Sequence, residues 1–214
     1  MASVAVVDYG MGNLHSIAKA LHHVDPSAEV WVASAADRIL RADRVVFPGV
    51  GAMGDCMRAL GELDLADTVR AVAANKPLLG ICLGLQALLD GSEENSGTRC
   101  LGILPGSVLR FADPLTDAQG AVLKIPHMGW NRVHQTIDHP LWKGIPQDSR
   151  FYFVHSYYAR PLRDETIAAT ADYPHPFACA LAYRNLFAVQ FHPEKSQVVG
   201  LRLLKNFLEW DGAF

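Results

Sequence analysis

Short apolar runs alternate with helix-spaced patterns through the first half of the chain. Residues 4–8 predict a buried strand. Residues 14–24 predict a helix, with apolar side chains at 14, 17, 18, 21 and 24 along one face. Further strands are expected at 30–33 and 45–47, with helices near 35–40, 54–60 and 65–74. A fourth strand is expected at 77–81, with a helix at 83–90 directly behind it. Strands separated by helices imply βαβ units and a parallel sheet covered on both faces. The second half changes character. Residues 92–99 and 112–120 read as polar loops, and strands are expected at 122–125, 151–158, 166–171, 178–183 and 186–191. Tyr183-Arg184-Asn185-Leu186 reads as a hairpin turn. Ser196 is expected to cap a last helix with apolar residues at 198, 199, 201, 203, 204, 207 and 208. No repeat or linker divides the chain. The expectation is a single α/β domain over residues 1–214: an open, mostly parallel, flavodoxin-like sheet with helices on both faces, extended by antiparallel strands.

Composition narrows the partners. The chain has 214 residues, 50% hydrophobic and 19% charged, ordinary values for a packed globular protein. A net charge of −3 and the lack of a Lys/Arg run offer no field for nucleic acid. The longest apolar stretch, 77–89, is well short of the roughly 20 residues that span a bilayer. The N-terminus has no basic region ahead of its first strand, so no secretory signal is expected and the cytoplasm is the expected location. The four cysteines, Cys56, Cys82, Cys100 and Cys179, are scattered without a CxxC pair. They read as free thiols, and neither metal nor cofactor is expected.

The candidate chemistry centres on Gly80-Ile81-Cys82-Leu83-Gly84. Glycines two places before and after a residue, between a strand and a helix, mark a tight elbow that exposes the central side chain. Here that side chain is a thiol, suited to attack on a carbonyl. Phe191-His192-Pro193-Glu194 supplies a base. The residue before a proline is extended, so His192 and Glu194 share a face, with the carboxylate placed to orient the imidazole. Phe47-Pro48-Gly49-Val50-Gly51 is a glycine-rich turn at a strand's carboxyl end, where α/β sheets line their ligand crevice. An N–H from this turn, with that of Leu83, would form a two-donor oxyanion hole. Separately, a cysteine in an apolar run, a His-Pro pair and a Pro-Gly turn usually mean core, loop and turn. Their joint occurrence, each at a strand end, points to a nucleophile site.

Gly80-Ile81-Cys82-Leu83-Gly84-Leu85-Gln86, taken with His192-Pro193-Glu194, resembles the glutamine amidotransferases of the Cys-His-Glu type. Asp8-Tyr9-Gly10-Met11-Gly12-Asn13, His127-Met128-Gly129-Trp130-Asn131 and Phe153-Val154-His155-Ser156-Tyr157 resemble one branch, the glutaminase subunits of imidazole glycerol phosphate synthase. The resemblance implies hydrolysis of L-glutamine to glutamate and ammonia through a thioester on Cys82, with His192 and the following helix favouring the thiolate. It implies an oxyanion hole from the backbone of Val50, Gly51 and Leu83. Gln86 and Glu94 would meet the substrate's α-amino end, and the backbone of His155, Ser156 and Tyr157 its carboxylate. It also implies a heterodimer with a (β/α)8-barrel cyclase in histidine biosynthesis, with Met128, Trp130, Tyr157 and Lys195 as candidates for the docking face. Glycines flanking Val50 let its peptides rotate cheaply, so the hole is expected to form only with the partner and its ligand bound. An amidotransferase of another pathway and a partner-independent cysteine hydrolase of similar fold are the alternatives.

Overall fold

A computed structural model describes residues 3–117 and 119–214. Residues 1 and 2, at the expected signal-free start, and residue 118, in the expected loop 112–120, lie outside them. The first half is a βα alternation: β1 (Ser3–Val7), α1 (Leu14–Val24), β2 (Glu29–Ala33), α2 (Ala36–Arg41), β3 (Arg44–Gly49), α3 (Met53–Glu62), α4 (Leu65–Asn75), β4 (Leu78–Cys82) and α5 (Leu83–Ala87). The second half is mostly strand. It comprises β5 (Gly91–Ser92), β6 (Thr98–Arg99), β7 (Gly106–Arg110), β8 (Leu115–Thr116), β9 (Val122–Leu123), β10 (His127–Arg132), β11 (His134–Gln135), β12 (Arg150–His155), β13 (Tyr157–Pro161), β14 (Ile167–Asp172), β15 (Pro176–Tyr183) and β16 (Leu186–Val189), closed by α6 (Gln197–Glu209).

One sheet runs through both halves in the order β2-β1-β3-β4-β16-β15-β13-β7-β5-β6, with β14 and β11 branching from β15. Its first five strands are parallel, and from β16 outward the pairing turns antiparallel except at β5–β7. The expected open, mostly parallel α/β sheet with an antiparallel extension is therefore present. Strand pleating divides the core in two. Val4 and Val6 of β1 join Ile17, Leu21, Leu203 and Phe207 under α1 and α6. Ala5 and Val7, on the opposite pleat, join Ile39, Leu60, Leu65 and Val69 under α2, α3 and α4.

The departures from expectation have local causes. The strand expected at 151–158 breaks at Ser156 into β12 and β13. β12 pairs with β10 in a separate two-stranded sheet, whereas β13 joins the main sheet beside β7. At the break, His155 Nδ1 bonds to the carbonyl of Tyr157 at 2.8 Å, a side-chain-to-backbone bond that takes the place of a ladder bond. The helix expected at 83–90 stops at Ala87. The carbonyls of Ala87, Leu88 and Leu89 accept instead from the backbone of Leu101, Gly102, Ile103 and Leu104, which leaves none of them for another helical turn. So short a helix cannot add the full terminal field expected behind Cys82.

Ser196 occupies the N-cap position of α6 but makes no side-chain capping bond. Its hydroxyl donates to the His192 carbonyl at 2.6 Å and accepts from the Tyr152 N–H at 3.0 Å. It therefore ties the His192 segment to β12 rather than capping the helix. β7 and β10 were not expected as strands. Each contains a glycine and too few alternating apolar residues to carry a strand signal. Among the described residues no helix is long and apolar enough to cross a membrane.

Candidate active site

Parallel register places the elbow and the turn side by side. Gly49, the last residue of β3, pairs with Cys82, the last of β4, and on the other side Val189 of β16 pairs with Ile81. The glycine turn, the cysteine and the His192 segment thus leave the same carboxyl edge of the sheet. Cys82 has φ 55° and ψ −112°, a sparsely populated conformation for a residue with a side chain. The elbow glycines make room for it. A Cβ at Gly84 would lie 1.9 Å from the Phe47 carbonyl oxygen, and one at Gly80 would lie 3.0 Å from Ala188 Cβ. Gly84→Ala will consequently push α5 off β3. We expect a loss of about 3 kcal/mol in thermal or urea unfolding, together with collapse of glutaminase activity.

The imidazole of His192 is 2% exposed. Its Nδ1 lies 2.9 Å from Glu194 Oε1, and the Glu194 side chain is wholly buried. A carboxylate only accepts, so Nδ1 carries the hydrogen. The other ring nitrogen, Nε2, is buried without a conventional partner. Burial opposes the charged ring, but the proximity of Cys82 and Glu194 outweighs it and raises His192 well above its ordinary range, to about 10. Burial pushes Cys56 up to about 11 and Cys100 up to about 12, and holds Cys179 well above the ordinary thiol value. All four cysteines are free.

A cavity of about 290 Å³ opens at this edge. It is lined by Val50, Gly51, Cys82, Leu83, Gln86, Glu94, His155, Ser156, Tyr157 and His192, all singled out from the sequence, together with Pro126 and Val154, which were not. Glu194 stands behind His192 rather than on the wall. The Glu94 carboxylate accepts from the Met53 N–H at 2.8 Å at the start of α3, so it is anchored and not a loosely solvated loop charge.

Beneath the cavity the hydrogen-bond directions follow from one fixed point. The Tyr157 carbonyl can only accept, and it faces Gln86 Nε2 at 3.0 Å and His155 Nδ1 at 2.8 Å. Gln86 gives its second amide hydrogen to Gln190 Oε1 at 2.9 Å. Both Gln86 hydrogens point inward, which leaves its carbonyl oxygen as the one group it can offer a ligand, an acceptor suited to an ammonium. His155 Nε2 must accept, so His127 Nδ1, 2.8 Å away, donates to it. Burial lowers His127 to about 4 and His155 to about 3, which keeps both rings neutral.

Met128, Trp130 and Lys195 lie outside this cavity. Met128 and Trp130 project from the outer face of β10, 62% and 42% exposed. Trp130 sits edge-on to Tyr152 at 6.2 Å, and Lys195 Nζ lies 5.9 Å from the same ring. Beyond Pro126 and Val154, Tyr152 and Gln190 were also not expected at the site. Tyr152 carried no motif signal. Gln190 is a polar residue in the apolar run 186–191, and that interruption was the clue available.

A strained cysteine at a strand–helix elbow, on the same sheet edge as a buried histidine and carboxylate, is an arrangement suited to thiol chemistry in an α/β enzyme. The family Glutamine amidotransferase class-I matches residues 5–210, and the chain belongs to that family. Among curated proteins it is 66% identical to "Imidazole glycerol phosphate synthase subunit HisH" of Methylococcus capsulatus, over 99% of this chain and 98% of that one. It is 59% identical to the protein of the same name in Nitrosococcus oceani, over 99% of each chain. Of solved structures, PurLQS from Thermotoga maritima superposes with a TM-score of 0.74 at 16% identity, over 98% of this chain and 99% of that one. Another structure, described as glutamine amidotransferase, gives 0.72 at 19%, over 98% and 99%. Among the described residues no three His, Cys, Asp or Glu side chains converge as a metal site would require.

Proposed function

We propose that the chain, acting as one domain, is the glutaminase subunit of an imidazole glycerol phosphate synthase. The observation that carries this reading is the strained Cys82 beside a buried, proton-holding His192–Glu194 pair, in a chain 66% identical to a relative named as that subunit. The Cys82 thiolate attacks the side-chain amide carbon of L-glutamine, and the carbonyl π electrons move onto its oxygen. N–H groups of Leu83 and of the turn at Val50 and Gly51 receive this oxyanion. As it collapses the C–N bond breaks, and His192 gives its proton to the departing nitrogen, releasing ammonia and leaving a thioester. Water then yields a proton to His192 and adds to the thioester carbon. Collapse of the second oxyanion expels the sulfur, frees glutamate and restores the thiolate–imidazolium pair. Glu194 holds the ring in orientation throughout. The Gln86 carbonyl and Glu94 suit the substrate ammonium, and the backbone at His155, Ser156 and Tyr157 suits its carboxylate.

Free ammonia is mostly protonated near pH 7 and then is no nucleophile, so the product is useful when it passes directly to an acceptor. In this reading the acceptor site belongs to a (β/α)8-barrel cyclase docked on the face bearing Met128, Trp130 and Lys195. There the ammonia is used to make imidazole glycerol phosphate and aminoimidazole carboxamide ribotide; neither nucleic acid nor membrane takes part. Val50 is 39% exposed beside Gly51 at φ 96°, which supports a turn that completes its oxyanion donors on docking. Assays of the purified chain, alone and with the cyclase and its ribonucleotide ligand, test the proposal. Glutaminase should rise about a hundredfold or more in the complex, the worth of one oxyanion donor. Full activity in the isolated chain would remove the docking-dependent turn. Absence of ammonia transfer in the pair would remove the subunit assignment.

A further inference from the structure

We propose that Gln190 is a further catalytic residue, whose carboxamide N–H donates to the Cys82 sulfur and holds it as the attacking thiolate. The inference rests on Cys82 being the nucleophile. Gln190 follows β16 directly and is fully buried. Its backbone N–H is bonded to the Cys179 carbonyl at 2.8 Å, which fixes the start of the side chain. The orientation of its amide is forced. The Tyr157 carbonyl takes one hydrogen of Gln86, the other goes to Gln190 Oε1 at 2.9 Å, and so Gln190 Nε2 is left facing Cys82 Sγ at 3.7 Å.

A buried amide hydrogen needs an acceptor. A neutral thiol accepts weakly and a thiolate well, so this contact favours the charged sulfur. Gln190, just past β16, is a fixed neutral donor, whereas His192 is a titrating ring. His192 must surrender its proton to the leaving nitrogen, and at that moment Gln190 remains the donor that keeps its hydrogen. It therefore also stabilises the sulfur when the thioester breaks.

The test separates this role from mere support of Gln86. Iodoacetamide is applied without glutamine, and peptide mass spectrometry locates the label. In the unmodified chain Cys82 should label ahead of Cys56, Cys100 and Cys179. If it does not, the nucleophile reading fails, and the Gln190 proposal with it. Gln190→Met, close in shape, and Gln190→Glu, which keeps the acceptor for Gln86, should each slow Cys82 labelling about tenfold, the effect of losing one hydrogen bond to a charged group. Gln86→Met should raise KM for glutamine. Labelling at the unmodified rate in both Gln190 variants, with KM alone altered, would overturn the proposal and leave Cys82 as nucleophile. Should neither variant fold, the side-chain amide proton of Gln190 is followed by NMR in the unmodified chain. A downfield move as Cys82 becomes reactive with rising pH supports the proposal, and a constant position overturns it.

Discussion

Cys82→Ala is expected to abolish glutamine hydrolysis while the complex with the cyclase continues to use added ammonia. The fall in glutamine-dependent turnover should be on the order of 10⁴-fold or more, as for other nucleophiles that act as a unit with their base. No other thiol can take over. Cys56, Cys100 and Cys179 are buried in the core, and burial raises all three against ionisation. Retained ammonia-dependent synthesis is the control that the partner's own site still works. A stability readout accompanies it. At φ 55° and ψ −112° any side chain at position 82 is strained, by about 1 kcal/mol or more. Cys82→Gly should therefore melt above Cys82→Ala, reversing the usual order of glycine and alanine. A variant pair in the usual order would show that the elbow stores no strain.

The second large effect concerns acid. His127, His139 and His155 are buried, and burial lowers them from 6.5 to about 4, about 4 and about 3. Each is neutral when folded and takes up a proton on unfolding once the pH is below 6.5. Stability is thus intact above that value and falls as the pH drops toward about 4, by about 1.4 kcal/mol per pH unit for each histidine. At pH 5 all three act in the same direction, so the acid loss is a large share of a domain's marginal stability. His192 acts in the opposite sense. Its raised value gives stability that is complete below 6.5 and is lost as the pH climbs toward about 10. Urea unfolding at pH 7.0 and 5.0 should show the acid loss. His139→Gln, at a site packed on Phe187 and Trp210 away from the cavity, should reduce the slope by about one third. A midpoint unchanged between those pH values would show that these rings are charged in the folded chain.

Much of the parallel half was legible because its strands are continuous apolar runs bounded by helix-spaced stripes, as in α1 and α4. The antiparallel half was less so. β10 hides behind Gly129 and Asn131, and the single run 151–158 serves two sheets. Helix α5 ended early for a reason no local pattern contains: loop residues 101–104 claim its carbonyls. The cavity wall was read well where motifs marked it, as at Cys82, Gln86 and His192. It was missed at Pro126 and Val154, and Gln190, which lies off that wall against the Cys82 sulfur, was missed as well, because these placements depend on neighbours distant in the chain.

Local pattern already carried the βα order, the elbow and the extended backbone of His192 ahead of its proline, because glycine spacing, proline geometry and apolar period act over a few residues. The expected extended run did not continue, since Pro193–Lys195 forms a 3₁₀ turn that still leaves the Glu194 carboxylate on His192 Nδ1. Tertiary structure alone decided how these pieces meet. Strand register sets Gly49 beside Cys82, and the proximity of Cys82 and Glu194 makes His192 hold its proton against burial. The amide chain from the Tyr157 carbonyl through Gln86 and Gln190 to the sulfur joins residues up to 108 positions apart. Hydrogen-bond direction and burial are properties of that assembled neighbourhood, and no window along the chain contains them.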